Sequence, residues 1–185
     1  QFLQIVQEIR SATTLPLYVG GGVRSVEDVK ETLEVGATKV SITSAAIANP
    51  SLLQEAAKDF GEDKIILSID AKRVATNKWH AFTKGGKIDT KLDVIEWAKQ
   101  GEAFGISEIL LNSIDTDGVK TGYDLPLTKA VTEAVSIPVI ASGGAGRIEH
   151  FATLFEKTKA NVALAASVFH FGELSVKEIK QQLQQ

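Results

Sequence analysis

Apolar residues recur along this chain in two alternating rhythms. Phe2, Ile5, Val6 and Ile9 fall at helical spacing, so the chain opens on an amphipathic helix. Leu15-Pro16-Leu17-Tyr18-Val19 is a short apolar run that ends in Gly20-Gly21-Gly22 and reads as a buried strand. Ser25 with Asp28 supplies the capping pair of a helix that runs toward Gly36. The same rhythms predict strands near 38–42, 64–69, 107–111, 137–141 and 161–165, with helices near 50–60, 92–103, 125–135, 147–156 and 175–184. Strands that alternate with helices, and are apolar throughout, predict an α/β fold with a parallel sheet covered by helices. Residues 74–90 break the rhythm. Trp79, Ala81 and Thr83 alternate with His80, Phe82 and Lys84 before Gly85-Gly86, the pattern of a hairpin inserted in one βα loop.

An internal repeat separates an open sheet from a barrel. A shift of 122 places lays Pro16 on Pro138, Gly21 on Gly143, Gly22 on Gly144, Glu27 on Glu149, Glu34 on Glu156 and Val40 on Val162. The match needs no gap from Leu15 to Ala46, and apolar positions such as Leu15/Ile137 and Leu33/Phe155 also coincide. Two such halves need about 244 residues, near the size of a (β/α)8 barrel with a pseudo-twofold half-barrel repeat. The chain has 185 residues. The expectation is one barrel domain over 1–185 whose first two strands and one helix (a β-α-β segment) lie before Gln1. The absence of methionine, even at position 1, fits a trimmed tag or a mature end, and more sharply a fragment.

Bulk composition narrows the function class. Hydrophobic content of 44% and charged content of 23% are those of an ordinary globular protein. A net charge of −3 argues against a nucleic-acid partner. No apolar run reaches membrane-spanning length and no signal-peptide pattern is present. Zero cysteines rule out disulfides and thiolate metal sites and fit the cytoplasm. His80, His150 and His170 show no metal-ligand spacing and read as surface or packing residues.

Chemistry in such barrels sits in the loops after the strands. Here those loops carry Gly20-Gly21-Gly22, Thr43-Ser44-Ala45, Gly143-Gly144 and Ala166-Ser167. Glycine lets backbone approach a ligand, and a helix start offers free N–H groups, so the duplicated sets suit two phosphate groups. Each set alone also fits a tight turn or a cap. Asp70 ends the strand Ile65–Ile69 and shares a face with Ser68, where a carboxylate serves as general acid or base, or caps the next turn. The loop Asn112–Gly118 is rich in polar groups for substrate contact. Lys39 and Glu108 lie early in their strands, so they either pair inside the barrel floor as a gate or reach out to solvent at its rim.

The segments VGGGV (19–23), SITSAA (41–46), SIDAKR (68–73), LNSIDTDG (111–118), TGYD (121–124), ASGGAG (141–146) and LAASVFHF (164–171) resemble the cyclase subunit of imidazole glycerol phosphate synthase. The likeness runs in order over essentially the whole chain. It implies a (β/α)8 barrel of histidine biosynthesis, a lyase that takes ammonia from a partner glutaminase. Its substrate is the bis-phosphorylated phosphoribulosyl-formimino-aminoimidazole carboxamide ribotide, and its products are imidazole glycerol phosphate and aminoimidazole carboxamide ribotide. The resemblance implies Asp70 as a catalytic aspartate. It implies Gly21, Gly22, Thr43 and Ser44 at one phosphate site, and Asp117, Gly118, Gly143, Gly144, Ala166 and Ser167 at the other, with Asn112 and Ser142 nearby. Lys39 and Glu108 match two members of an ammonia gate on the barrel floor, where the glutaminase forms a heterodimer. No metal and no cofactor is implied. Thr43 departs from the family, which usually carries asparagine there, and the family's other catalytic aspartate would lie before Gln1. The sister-barrel isomerase of the same pathway, a glycan-amidating paralogue, and a non-catalytic truncated barrel that keeps only bis-phosphate binding are the alternatives.

Overall fold

The computed structural model describes residues 1–184, which form two compact units, 1–68 with 100–108 and 69–99 with 109–184. In the first unit, α1 (Phe2–Ala12) precedes β1 (Tyr18–Gly20), α2 (Val26–Glu34), β2 (Lys39–Ile42), α3 (Ser44–Ala48) and α4 (Ser51–Phe60). A 3-10 turn at Glu62–Lys64 leads into β3 (Ile65–Ala75), which continues in the second unit. β1 pairs with β2 (Tyr18↔Lys39, Gly20↔Ser41) and β2 with β3 (Val40↔Ile65, Ile42↔Leu67), all parallel. Val40 and Ile42 point into an apolar layer with Val29, Leu53, Ala56, Ile65 and Leu67, each fully buried. The intervening Lys39 and Ser41 take the opposite face, as strand alternation requires. Ser25 caps α2 by accepting from Asp28 N, while Asp28 accepts from Arg24 N and Ser25 N.

β1 departs from the expected buried strand. It is three residues long, only Val19 is buried, and Leu15 and Tyr18 are exposed. Its single strand partner among the described residues is β2, so its other flank carries no neighbour there to cover these side chains.

The second unit continues β3 and adds β4 (Lys78–Thr83), β5 (Ile88–Asp93), α5 (Val94–Ala103), β6 (Glu108–Ser113), α6 (Leu125–Ala134), β7 (Val139–Ser142), α7 (Ile148–Lys157), β8 (Val162–Leu164), α8 (Ser167–His170) and α9 (Val176–Leu183). α5 ends and β6 begins in the first unit. β6, β7 and β8 are parallel neighbours (Asn112↔Ser142, Ala141↔Ala163). Tyr123, Ala141, Phe151, Leu154 and Ile179 form their helix-covered core, with the Tyr123 and Phe151 rings edge-on at 5.7 Å. β3 does not stop at Asp70. It exchanges its parallel partner β2 for antiparallel β4 (Asp70↔Phe82 to Ala75↔Lys78), and β4 pairs in turn with β5, which runs to Asp93. Parallel strands alternating with helices are the pattern of a (β/α) barrel.

The repeat reappears in both units as strand, capped helix, strand and short helix. Asp28 and His150 are 122 places apart and both cap a helix start. His150 Nδ1 accepts from Gly146 N and Arg147 N, as Asp28 accepts from Arg24 N and Ser25 N. The gapless match fails beyond α7, which is one residue longer than α2. Register then sets Tyr18 beside Lys39 but Ile140 beside Val162, a slip of one place. The corrected equivalence puts Thr43-Ser44 on Ala166-Ser167, where α3 and α8 each begin at the serine.

Candidate functional site

Three loops of the second unit converge after β6, β7 and β8. Asp117, Gly118, Ser142, Gly143, Gly144, Ala145, Leu164, Ala165, Ala166 and Ser167 line one cavity of about 110 Å³. Six of these are the residues expected from sequence at one phosphate site, and Ser142, expected nearby, joins them, while Asn112 lies outside the cavity. Glycine is required here. Gly144 has φ +107°, and a Cβ on it would lie 2.0 Å from the Gly122 carbonyl oxygen, while the Gly122 N–H donates to Gly144 O at 2.8 Å. A Cβ on Gly143 would lie 2.9 Å from Ser113 O. Thr116 Oγ1 donates to Gly143 O at 3.0 Å, which ties the loop after β6 to the loop after β7. Ala166 caps α8 without a side-chain bond, so the first N–H groups of that helix are not taken up by a cap, and Ser167 lines the cavity beside them.

Asp70 lies on β3 and Asn112 on β6. Asn112 Nδ2 donates to Asp70 Oδ1 at 3.2 Å. Burial pushes the Asp70 carboxyl above the usual carboxylate range; the Asn112 bond opposes this and the nearby Asp117 charge adds to it. A carboxyl at this strand end, held by one amide donor, can give or take a proton. The Asp70 side chain is bonded to Asn112, a neighbour across the sheet, and not to a following turn.

In the first unit, Gly20 is pressed against Ser41, where a Cβ would lie 1.9 Å from Oγ. Gly21 (φ +99°) and Gly22 (φ +81°) have open space where a side chain would stand. Because Gly20 and Ser41 are register partners, Gly21-Gly22 and Thr43-Ser44 leave adjacent strand ends. The cavity that reaches Gly21 and Gly22, of about 340 Å³, is lined otherwise by Phe2, Leu3, Val23, Asp28, Glu31 and Thr32, and Thr43 and Ser44 are outside it.

Lys39 and Glu108 pair directly, with Glu108 buried and Lys39 mostly so, rather than each reaching separately to solvent. Tyr18 OH donates to Glu108 Oε1 at 3.4 Å, and the Lys39 ammonium lies 5.4 Å from the Tyr18 ring centroid. All three residues open their strands, opposite to the ends that carry the glycines.

The histidines have structural partners. His80 Nδ1 lies 3.0 Å from Asp89 Oδ1, His150 caps α7, and the His170 ring packs edge-on against Phe171. Sequence reasoning does not single out Asp124, which the structure makes a hub. It is buried, accepts from Ser113 Oγ (3.0 Å) and Leu127 N (3.1 Å), and has the Arg73 guanidinium 3.8 Å away. Arg73 N in turn donates to Asp115 Oδ2 at 2.8 Å, which pins the loop carrying Asp117. An aspartate before Leu125-Pro126 at a helix start is the signal that could have found it. No helix among the described residues is long and apolar enough to cross a membrane.

Residues 1–175 match the family described as histidine biosynthesis protein. The chain is 49% identical over 181 residues to imidazole glycerol phosphate synthase subunit HisF of Bacillus cereus (strain G9842), covering 98% of this chain and 72% of that protein. It is 48% identical over 183 residues to the subunit of the same name from Hydrogenobaculum sp. (strain Y04AAS1), covering 99% and 73%. The chain belongs to the histidine biosynthesis protein family, among the cyclase subunits of imidazole glycerol phosphate synthase.

Proposed function

We propose that this cyclase takes ammonia from a glutaminase partner and converts phosphoribulosyl-formimino-aminoimidazole carboxamide ribotide to imidazole glycerol phosphate and aminoimidazole carboxamide ribotide. The reaction balances as substrate plus ammonia giving the two products plus water. Ammonia adds to the ribulosyl carbonyl and water leaves. The formimino C–N bond breaks as the imidazole closes, which releases the ribotide. Proton delivery to the leaving groups and proton removal from the incoming nitrogen need a positioned acid and base. Asp70, half-buried and raised above its ordinary value, takes that part in this reading, and Asn112 orients it.

The observation that carries this reading is the cavity where Asp117, Gly118, Gly144, Ala166 and Ser167 meet. Its glycines bring backbone donors close and α8 starts at its wall, which suits one phosphate group. Gly21, Gly22, Thr43 and Ser44 take the other phosphate in this reading. Threonine at 43 donates through a hydroxyl where the family usually presents an amide, so this grip is the weaker. Lys39 and Glu108 form the gate through which ammonia enters from the glutaminase, bound as a heterodimer at the strands' N-terminal ends. The enzyme works in the cytoplasm without cofactor.

Calorimetric titration with imidazole glycerol phosphate and with aminoimidazole carboxamide ribotide, each bearing a single phosphate, tests the two grips. Ser167→Ala should weaken one ligand and Ser44→Ala the other. If both substitutions weaken the same ligand equally, or neither ligand binds, the assignment fails.

A further inference from the structure

We propose that Tyr18 is a third member of the gate, a positioning residue that holds Lys39 and Glu108 in their closed pairing. The inference rests on the gate reading above and names a residue that reading does not contain. Tyr18, Lys39 and Glu108 are the first residues of β1, β2 and β6. Register sets Tyr18 directly beside Lys39, and in a parallel pair register partners share a face.

Both neighbours are engaged by the one side chain. The phenol donates to Glu108 Oε1, the same oxygen that takes the Lys39 ammonium. The ring face lies 5.4 Å from that ammonium. A buried carboxylate needs its charge and its lone pairs answered, and here Glu108 has two donors where the ion pair alone would give one.

Tyr18 is 45% exposed, whereas Val19 supplies the strand's apolar anchor at 8%. Tyrosine contributes here through its polar tip and its ring face. Opening the pair for a small neutral molecule means parting Lys39 from Glu108. With Tyr18 present, that separation also gives up the phenol hydrogen bond and the ring–ammonium contact. The side chain therefore biases the pair toward closure and resists leakage of ammonia.

The test uses the full gene product, alone with ammonium and in complex with its glutaminase. Two quantities are read: the KM for ammonium against kcat, and the fraction of glutamine-derived ammonia that ends in imidazole product. Tyr18→Leu should lower the ammonium KM roughly three- to tenfold, the size of one ordinary net hydrogen bond, as suits a long bond from a partly exposed phenol. Its kcat should move less, and the coupled fraction in the complex should fall. Tyr18→Phe keeps the ring and should lie between Leu and the parent. Lys39→Met and Glu108→Gln run alongside. If they alter coupling while Tyr18→Leu does not, the inference is overturned and the gate stands. If none of the variants alters the ammonium KM or coupling, the gate reading fails and takes the inference with it. A Tyr18→Leu protein that loses only thermal stability and kcat, with KM and coupling unmoved, assigns Tyr18 a structural role and also overturns it.

Discussion

Gly144→Ala is the substitution whose cost the structure states most fully. The residue has φ +107°, a region that L side chains rarely adopt, so any Cβ brings backbone strain of ~1–3 kcal/mol. The new methyl would also stand 2.0 Å from the Gly122 carbonyl oxygen, so the loop must move away. That movement breaks the Gly122 N–H to Gly144 O bond, worth ~0.5–1.5 kcal/mol, and forces repacking of ~1–3 kcal/mol. The chain's reduced freedom when unfolded returns ~0.4–1 kcal/mol. The net loss is roughly 1.5–7 kcal/mol. Gly118→Ala is the control. Gly118 has φ +74° with nothing within 4 Å of its Cβ position, so only the strain applies, a net of roughly 0–2.6 kcal/mol. Trp79 and Trp97 are buried in the same unit as both glycines, so urea unfolding followed by tryptophan fluorescence reads both variants. Equal losses for the two would refute the claim that backbone collision, beyond φ alone, fixes glycine at 144.

Asp70→Asn should cut cyclase turnover by ~10²–10⁴-fold, measured with saturating ammonium. Because burial raises the Asp70 carboxyl above its unfolded value, the native state favours the protonated form; the contribution is favourable below the unfolded value and is lost as pH rises through the raised one. Asp70→Asn should therefore match or exceed the parent's urea midpoint at pH 7, and a clear loss of stability there would contradict the burial account. His150 accepts two backbone N–H groups on Nδ1 and burial lowers its pKa, so the neutral form is the native one. Its contribution is whole above the unfolded histidine value of ~6.5 and falls as pH drops through the lowered native value. His150→Asp, which copies Asp28, should flatten that loss in a pH series of thermal midpoints.

The strand and helix positions are legible in the sequence because apolar spacing and capping pairs carry them locally. Ser25 with Asp28 reads as a cap from sequence and caps in the structure. The short helices α3 and α8 escape such a reading, since four or five residues give no period to count. Asp70 reads as a strand end because β3's change of partner depends on β4, a tertiary pairing that no local pattern announces. The single extra residue in α7 is hidden because Val40 and Val162 coincide by chance in the gapless match. At the site, the glycine pairs are legible through the repeat. Asp124 is not, because its role depends on Ser113 and Arg73, brought to it by the fold.

The central claim is that this chain supplies the cyclase site, with Asp70 passing protons beside a phosphate-holding cavity. The most direct measurement is product formation by the full gene product from the bis-phosphorylated ribulosyl substrate and ammonium, parent against Asp70→Asn. The account predicts imidazole glycerol phosphate and aminoimidazole carboxamide ribotide in equal amounts, reduced ~10²–10⁴-fold by the substitution. Unchanged turnover in Asp70→Asn, or isomerisation without cleavage, would contradict it.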